Sequence, residues 1–126
     1  MTLLQVNLAA PFAITRACLP LLASAAESSV VFTGETHGEK PAAYWGGFAV
    51  SKAGLLPLVR IWTDERGSAA PRMNVLVPGP IASPQRSRSH PGEDPGTLRT
   101  VEDAARGYLF LLGPDSAATT GETMHL

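Results

Sequence analysis

Two short apolar runs, Ser29-Val30-Val31-Phe32-Thr33 and Arg72-Met73-Asn74-Val75-Leu76-Val77, stand on either side of a helical pattern from Trp45 to Arg66. This spacing constrains the fold more than any other feature. A tight turn between two strands makes them antiparallel, whereas a helix-length connection returns the chain to the starting end and makes the pair parallel. The first run is β-branched and aromatic without polar alternation, as in a strand buried in a parallel sheet. Strand, helix and parallel strand form the building unit of an open α/β sheet, which places its ligands beyond the carboxyl ends of the strands.

The flanking stretches extend that unit. From Leu3 to Leu22 the residues Leu3, Leu4, Val6, Leu8, Phe12, Ile14, Ala17, Leu19, Leu21 and Leu22 cover most of a helix surface, leaving Gln5, Asn7, Thr15 and Arg16 as the polar remainder. That pattern predicts a largely buried helix, bent or ended locally at Pro11 and Pro20. After the first strand, Gly34 leads into a loop from Glu35 to Ala43 on the ligand side of the sheet. The helix from Trp45 presents Leu55, Leu56, Leu58, Val59 and Trp62 on its apolar side, should kink at Pro57, and should stop at Gly67. Pro78-Gly79-Pro80 ends the second strand. The segment 81–99, rich in Ser, Pro, Arg and Gly without hydrophobic period, reads as a flexible loop. Thr100 then caps a helix with Glu102 and Asp103 in its first turn, at the positive end of the dipole, and Val101, Ala104, Ala105, Tyr108, Leu109, Leu111 and Leu112 before Gly113-Pro114. Thr119 to Leu126 closes the chain as a short strand. The whole, residues 1–126, reads as a single domain without internal repeats.

Composition narrows the function classes. A formal charge of -1 and the absence of a Lys/Arg run remove the electrostatic footprint of a nucleic-acid or anionic-membrane surface. The single cysteine, Cys18, excludes an internal disulfide and reads as a small core residue. His37, His90 and His125 lack the spacing of metal ligands. There is no basic region before the first apolar stretch, and Pro11 and Arg16 interrupt that stretch, so no targeting or membrane-spanning segment is expected and a cytoplasmic location is.

Several short motifs fall in an order that resembles the short-chain dehydrogenase/reductase family. Phe48-Ala49-Val50-Ser51-Lys52-Ala53 resembles its active-site Tyr-x-x-x-Lys, with Phe48 in the tyrosine position. Val6-Asn7 resembles the asparagine of the family's fourth helix, Arg72-Met73-Asn74-Val75 followed by Pro78-Gly79 its sixth strand, and Thr120-Gly121-Glu122 the start of its seventh. Tyr44-Trp45-Gly46 and Pro91-Gly92-Glu93-Asp94-Pro95 look most like the YciK-type bacterial oxidoreductases within it. The resemblance covers the carboxyl-terminal half of the family's pattern and implies a partial Rossmann-like, three-layer α/β fold, ordered helix-strand-helix-strand-helix-strand on a parallel sheet.

The resemblance also assigns roles. It implies hydride transfer between NAD or NADP and a carbonyl or alcohol, with Asn7 holding a water in the proton relay and Lys52 binding ribose hydroxyls and tuning the tyrosine. Glu35, in place of the substrate-orienting serine, and Phe48 are degenerate positions: a phenyl ring exchanges no proton, and a carboxylate repels a developing alkoxide. Pro78, Gly79, Ile81 and Ser83 fall where the family contacts nicotinamide and phosphate. No G-x-x-x-G-x-G or G-x-G-x-x-G turn occurs, so these residues alone supply only part of a dinucleotide site. Four readings stay open: a truncated oxidoreductase with impaired catalysis, an enzyme using Tyr44 or His37 instead, a non-catalytic module, and an eroded gene fragment. As partners, the resemblance implies a homo-oligomer, a dimer through the first two helices, or an intact relative.

Overall fold

The structure is a computed structural model that describes residues 2–67, 69 and 71–126. Among the described residues, β1 (Ser29–Thr33), β2 (Arg72–Val77) and β3 (Thr123–His125) form a parallel sheet in the order β1-β2-β3. Val31 stands opposite Asn74 and Phe32 opposite Val75, while Val75 stands opposite Thr123. Strand alternation then sorts β2 onto two faces. Met73, Val75 and Val77 pack with Phe32, Leu55, Val59 and Trp62. Leu76 points the other way, against Gly107 of α7 (Val101–Leu112). Helices thus cover both faces of the sheet, as the sequence predicts for a three-layer α/β fold. Both connections step across the sheet in the same direction while their helices lie on opposite faces, so the two crossovers have opposite hand.

The first helical run departs from expectation in two ways. It continues from α1 (Thr2–Leu4) through a π segment, Gln5–Ala9, into α2 (Ala10–Ser24), rather than ending at either proline. In the π segment the Ala10 N–H bonds the Gln5 carbonyl, and Pro11, which has no N–H to give, sits just after this wider turn. Pro20 removes one further bond inside α2. Nor is the run largely buried: Val6 is 61% exposed, Ile14 64% and Leu21 75%, with Thr15 the buried residue of α2. The helix is apolar nearly all round, and only one stripe of it meets the sheet. Thr2–Ser24 is, by length and composition, apolar enough to cross a membrane. That corrects the expectation that Pro11 and Arg16 keep it short of such a run, since a lone arginine and two prolines still leave an 18-residue stretch of it at a mean hydropathy of 1.5. Cys18 is a free, partly buried thiol.

The central helix also differs. It is two helices, α4 (Gly46–Ala53) and α5 (Leu55–Arg66), divided at Gly54 rather than kinked at Pro57. Pro57 lies in the first turn of α5, where a missing N–H costs nothing because those donors have no intrahelical partner. Gly54 is needed for a second reason: a Cβ there would stand 2.8 Å from both Leu8 methyls, so the glycine lets the first helix approach. Leu55, Val59 and Trp62 are buried, and Gly67 ends α5 at φ 60°. β1 is less buried than predicted, with Phe32 its buried residue, because one of its edges carries no strand among the described residues.

The ligand-side segments carry structure that the sequence reading leaves as loops. Thr36–Glu39 forms α3, and within 81–99 Pro84–Ser89 forms α6 and Pro95–Thr97 a 3-10 turn. Arg86 of α6 grips Glu93 through two bonds, at 2.6 and 2.8 Å, and Ile81 bridges Arg99. α7 begins at Thr100 as expected, with the hydroxyl accepting from the Asp103 N–H at 3.1 Å. β3 is shorter than predicted and is held by buried Asn74, whose amide donates to the Thr119 carbonyl and accepts from the Glu122 N–H.

Candidate active site

The carboxyl ends of β1 and β2 open onto a cleft of about 810 Å³ that gathers several of the sequence-predicted positions: Glu35, Phe48, Gly79, Ile81 and Ser83. The strand-end turn delivers Gly79 and Ile81, the start of α4 delivers Phe48, and the residue before α3 delivers Glu35. Gly79 adopts φ 68°, a conformation that glycine takes without strain, and nothing lies within 4 Å of where a Cβ would stand. Its backbone is therefore open to the cleft. Ser83 caps α6 by accepting from the Arg86 N–H at 3.2 Å. Pro78, which ends β2, is not on the cleft wall.

Lys52 lies one turn beyond Phe48, behind the cleft. Its Nζ donates to the Thr33 carbonyl at 2.9 Å, tying α4 to the end of β1. Burial lowers its pKa from the ordinary 10.5, and the nearby Glu35 charge opposes that shift. Lys52 shares a cavity of about 290 Å³ with Glu35 and another, of about 380 Å³, with Asn7 and Thr33. The Asn7 amide donates to the Ser51 hydroxyl at 3.0 Å, and Ser51, fully buried, donates in turn to the Phe48 carbonyl at 2.7 Å. Thr33 Oγ1 and Tyr108 OH are 2.8 Å apart.

At Phe48 the ring lines the cleft and leans on Trp45, the centroids 6.0 Å apart. It has no group that could give or take a proton. Of the alternatives, Tyr44 also lines the cleft; it is fully exposed and adopts φ 71°, a strained conformation for a tyrosine. His37 is outside the cleft wall, its ring tilted 39° to that of Trp45 with centroids 4.1 Å apart and Nδ1 3.3 Å from the Lys40 carbonyl oxygen. His125 is 2.7 Å from Glu39 and anchors the chain end to α3.

Among the cleft residues that the sequence does not mark as part of a site, three bring rings or charge. Trp45, Arg86 and His90 all line the wall, and Trp45 and His90 lie 6.3 Å apart. Arg86 is held by Glu93, which raises the guanidinium's pKa and lowers that of the carboxyl through their shared hydrogen bonds. The seven-residue Arg86–Glu93 separation was the available signal, but no helical period marks α6, and the pair becomes legible only when the segment folds back.

Comparisons with known proteins place this geometry. The family model described as Enoyl-(Acyl carrier protein) reductase matches residues 1–126. The chain is 38% identical over 120 residues to the uncharacterized oxidoreductase YciK of Escherichia coli K12, covering 95% of this chain and 47% of the relative. Among solved structures, a short chain dehydrogenase from Salmonella enterica serovar Typhi superposes with a TM-score of 0.90 at 37% identity, covering 97% of this chain and 50% of that one. A putative short chain dehydrogenase from Escherichia coli CFT073, solved with NADPH, gives the same score, identity and coverage. The chain thus spans about half the length of the relatives it matches.

Proposed function

The chain belongs to the short-chain dehydrogenase/reductase family, and we propose that it carries the substrate-side half of an NAD(P)-dependent oxidoreductase site whose hydride-transfer chemistry is impaired. The observation that carries this reading is the Phe48 ring on the cleft wall, one helical turn before a lysine whose ammonium is committed to the Thr33 carbonyl. A dinucleotide bound here would supply or accept the hydride. Gly79, Ile81 and Ser83 would face its nicotinamide end, with Pro78 setting the turn, and Lys52 would reach a ribose hydroxyl on releasing Thr33. Nothing in the chain offers the Gly-rich turn that binds pyrophosphate.

Catalysis fails at the proton. Reduction of a carbonyl leaves an alkoxide that needs both stabilisation and a proton, and a positioned general acid is worth about 10²–10⁴-fold. Phe48 supplies neither hydroxyl nor hydrogen bond, and the Glu35 carboxylate destabilises the alkoxide. A cytoplasmic setting goes with this proposal. Carbonyl-dependent NADPH oxidation tests it, using a panel of aldehydes and ketones. The expected rate is that of the mixture without protein; turnover lost in Tyr44→Phe or His37→Gln would overturn the proposal and identify the substitute acid.

A second reading, a self-associating or relative-binding module, is favoured by the apolar groove of about 580 Å³ between the first helix and α5, lined by Leu4, Leu8, Phe12, Pro57, Leu58 and Ile61. Light scattering checks it: the module reading expects a dimer that Ile61→Glu dissociates, and a monomer at all concentrations removes it.

A further inference from the structure

The substitutions that impair the oxyanion chemistry do more than delete it; they reverse the electrostatic sense of the cleft. Two hydroxyl positions have become a phenyl ring, Phe48, and a carboxylate, Glu35, both on the same wall. Neither feature favours an anion. An aromatic face presents negative potential, and a carboxylate accepts hydrogen bonds without donating any.

The charges around Glu35 leave its carboxylate without a direct ion pair among the described residues. Its Oε1 accepts only a long bond, 3.4 Å, from the His37 N–H. Lys52 and Arg86 are close enough to feel its charge: the Arg86 guanidinium is held bidentately by Glu93, while Lys52, its Nζ bonded to the neutral Thr33 carbonyl and absent from the cleft wall, offsets the Glu35 charge only in part. Of the Asp, Glu, Lys and Arg side chains on the cleft wall, Arg86 is ion-paired and Glu35 is not. Trp45 and Phe48 line the same cleft as the carboxylate, their rings tilted 42° to one another. A cleft lined by both a carboxylate and aromatic rings suits an organic cation, the carboxylate by charge and hydrogen bond, the rings by cation–π attraction. The cleft's volume suits an ordered small molecule rather than a bare ion.

We propose that this cleft binds a hydrophobic ammonium compound, its cationic nitrogen on Glu35 and its apolar body against Trp45 and Phe48. The proposal rests on reading the cleft as the ligand-binding side of the oxidoreductase fold, and it names the ligand class that the degenerate site now takes. The same two substitutions then have one explanation: they exchange stabilisation of a negative oxygen for stabilisation of a positive nitrogen.

Calorimetric titration of the purified 126-residue chain with phenethylammonium, and separately with 2-phenylethanol, tests this. The two compounds are nearly isosteric and differ in charge. The expected result is that the ammonium binds at least about tenfold more tightly, the scale of a partly desolvated cation contact. In Glu35→Gln, which keeps an oxygen to accept from the His37 N–H, that preference should fall to parity, while Trp45→Leu should weaken both compounds. Circular dichroism of each variant confirms that it is folded. Equal affinities, no ammonium binding, or a preference that survives Glu35→Gln would overturn the proposal. NADPH turnover is a separate readout: a chain that prefers the ammonium and also turns over refutes impaired catalysis alone, whereas a silent chain without the preference refutes the ammonium site alone.

Discussion

The side-chain amide of Asn7 donates to the hydroxyl of Ser51 at 3.0 Å, fastening the first helical run to the helix that carries Lys52. Ser51 is fully buried, so its hydroxyl has no water to turn to. Losing one partner leaves the other's hydrogen-bonding capacity unmet, which costs more than the bond's modest net worth. Asn7→Ala and Ser51→Ala should each destabilise the chain by about 1–2 kcal/mol, with a coupling of about 1 kcal/mol in the double-mutant cycle. Urea denaturation of the four proteins checks it; additive effects would mean that the amide and hydroxyl act independently.

Gly34 sits where β1 meets the loop, its N–H bonded to the Leu76 carbonyl at 2.8 Å. A Cβ there would lie 2.7 Å from Val75 Cγ1 and 2.9 Å from Val77 Cγ2. These are short, branched side chains locked in the core, and they cannot swing away. Gly34→Ala should therefore cost about 1–3 kcal/mol through overpacking, despite alanine's lower unfolded-state entropy. Chemical denaturation measures it, and a neutral or stabilising alanine would show that the strand ends can separate.

Arg72 ties β2 to the end of α7, with one guanidinium nitrogen on the Ser116 carbonyl at 2.6 Å and the other on the Gly113 carbonyl at 3.1 Å. Ser116 is 1% exposed, and its carbonyl accepts from Arg72 and from the Thr119 N–H at 2.8 Å. Arg72→Met keeps the stem and removes the donors. It should cost about 2–3 kcal/mol, the range for charge-assisted bonds to buried groups. Hydrogen exchange should also show lost protection in residues 113–119 relative to α5; uniform loss would place the effect elsewhere.

Lys52 makes stability depend on pH. Its pKa in the fold is lowered from 10.5 by burial, so between the lowered value and 10.5 the unfolded chain binds more protons than the folded one. Stability then rises with pH across that window; the penalty is fully present below the folded value and gone above 10.5. Melting temperatures of wild type and Lys52→Met, compared from pH 8 to pH 10.5, isolate this group. The wild type should gain on the variant as pH rises; parallel curves would show that the folded lysine is as well solvated as the unfolded one.

How far the sequence reveals this molecule depends on the residue. The ends of β2 are legible because Arg72 to Val77 is bounded by a turn proline and a β-type run, and the start of α7 because Thr100 carries its own cap signal. The break between α4 and α5 is hidden, because Gly54 matters through the Leu8 methyls that press on it, a contact with no local signature. The exposure of Val6, Ile14 and Leu21 is hidden too: an apolar helix predicts what it would bury against, not whether that surface is present. Phe48 and Glu35 could be read as degenerate from their places in a motif. Their meeting with Trp45 could not, since it is the turn of the chain after Lys40 that brings Trp45 and Phe48 to the cleft that Glu35 lines.

On the proposed function, these residues hold the substrate-side half of a dinucleotide site and no cradle for pyrophosphate. Calorimetric titration of the purified chain with NADH and NADPH tests it most directly. No saturable binding tighter than about 1 mM is expected for either, because Gly79, Ile81, Ser83 and Lys52 would reach only the nicotinamide end. Micromolar affinity, abolished by Lys52→Met, would contradict it and show that the chain assembles a complete dinucleotide site by other means.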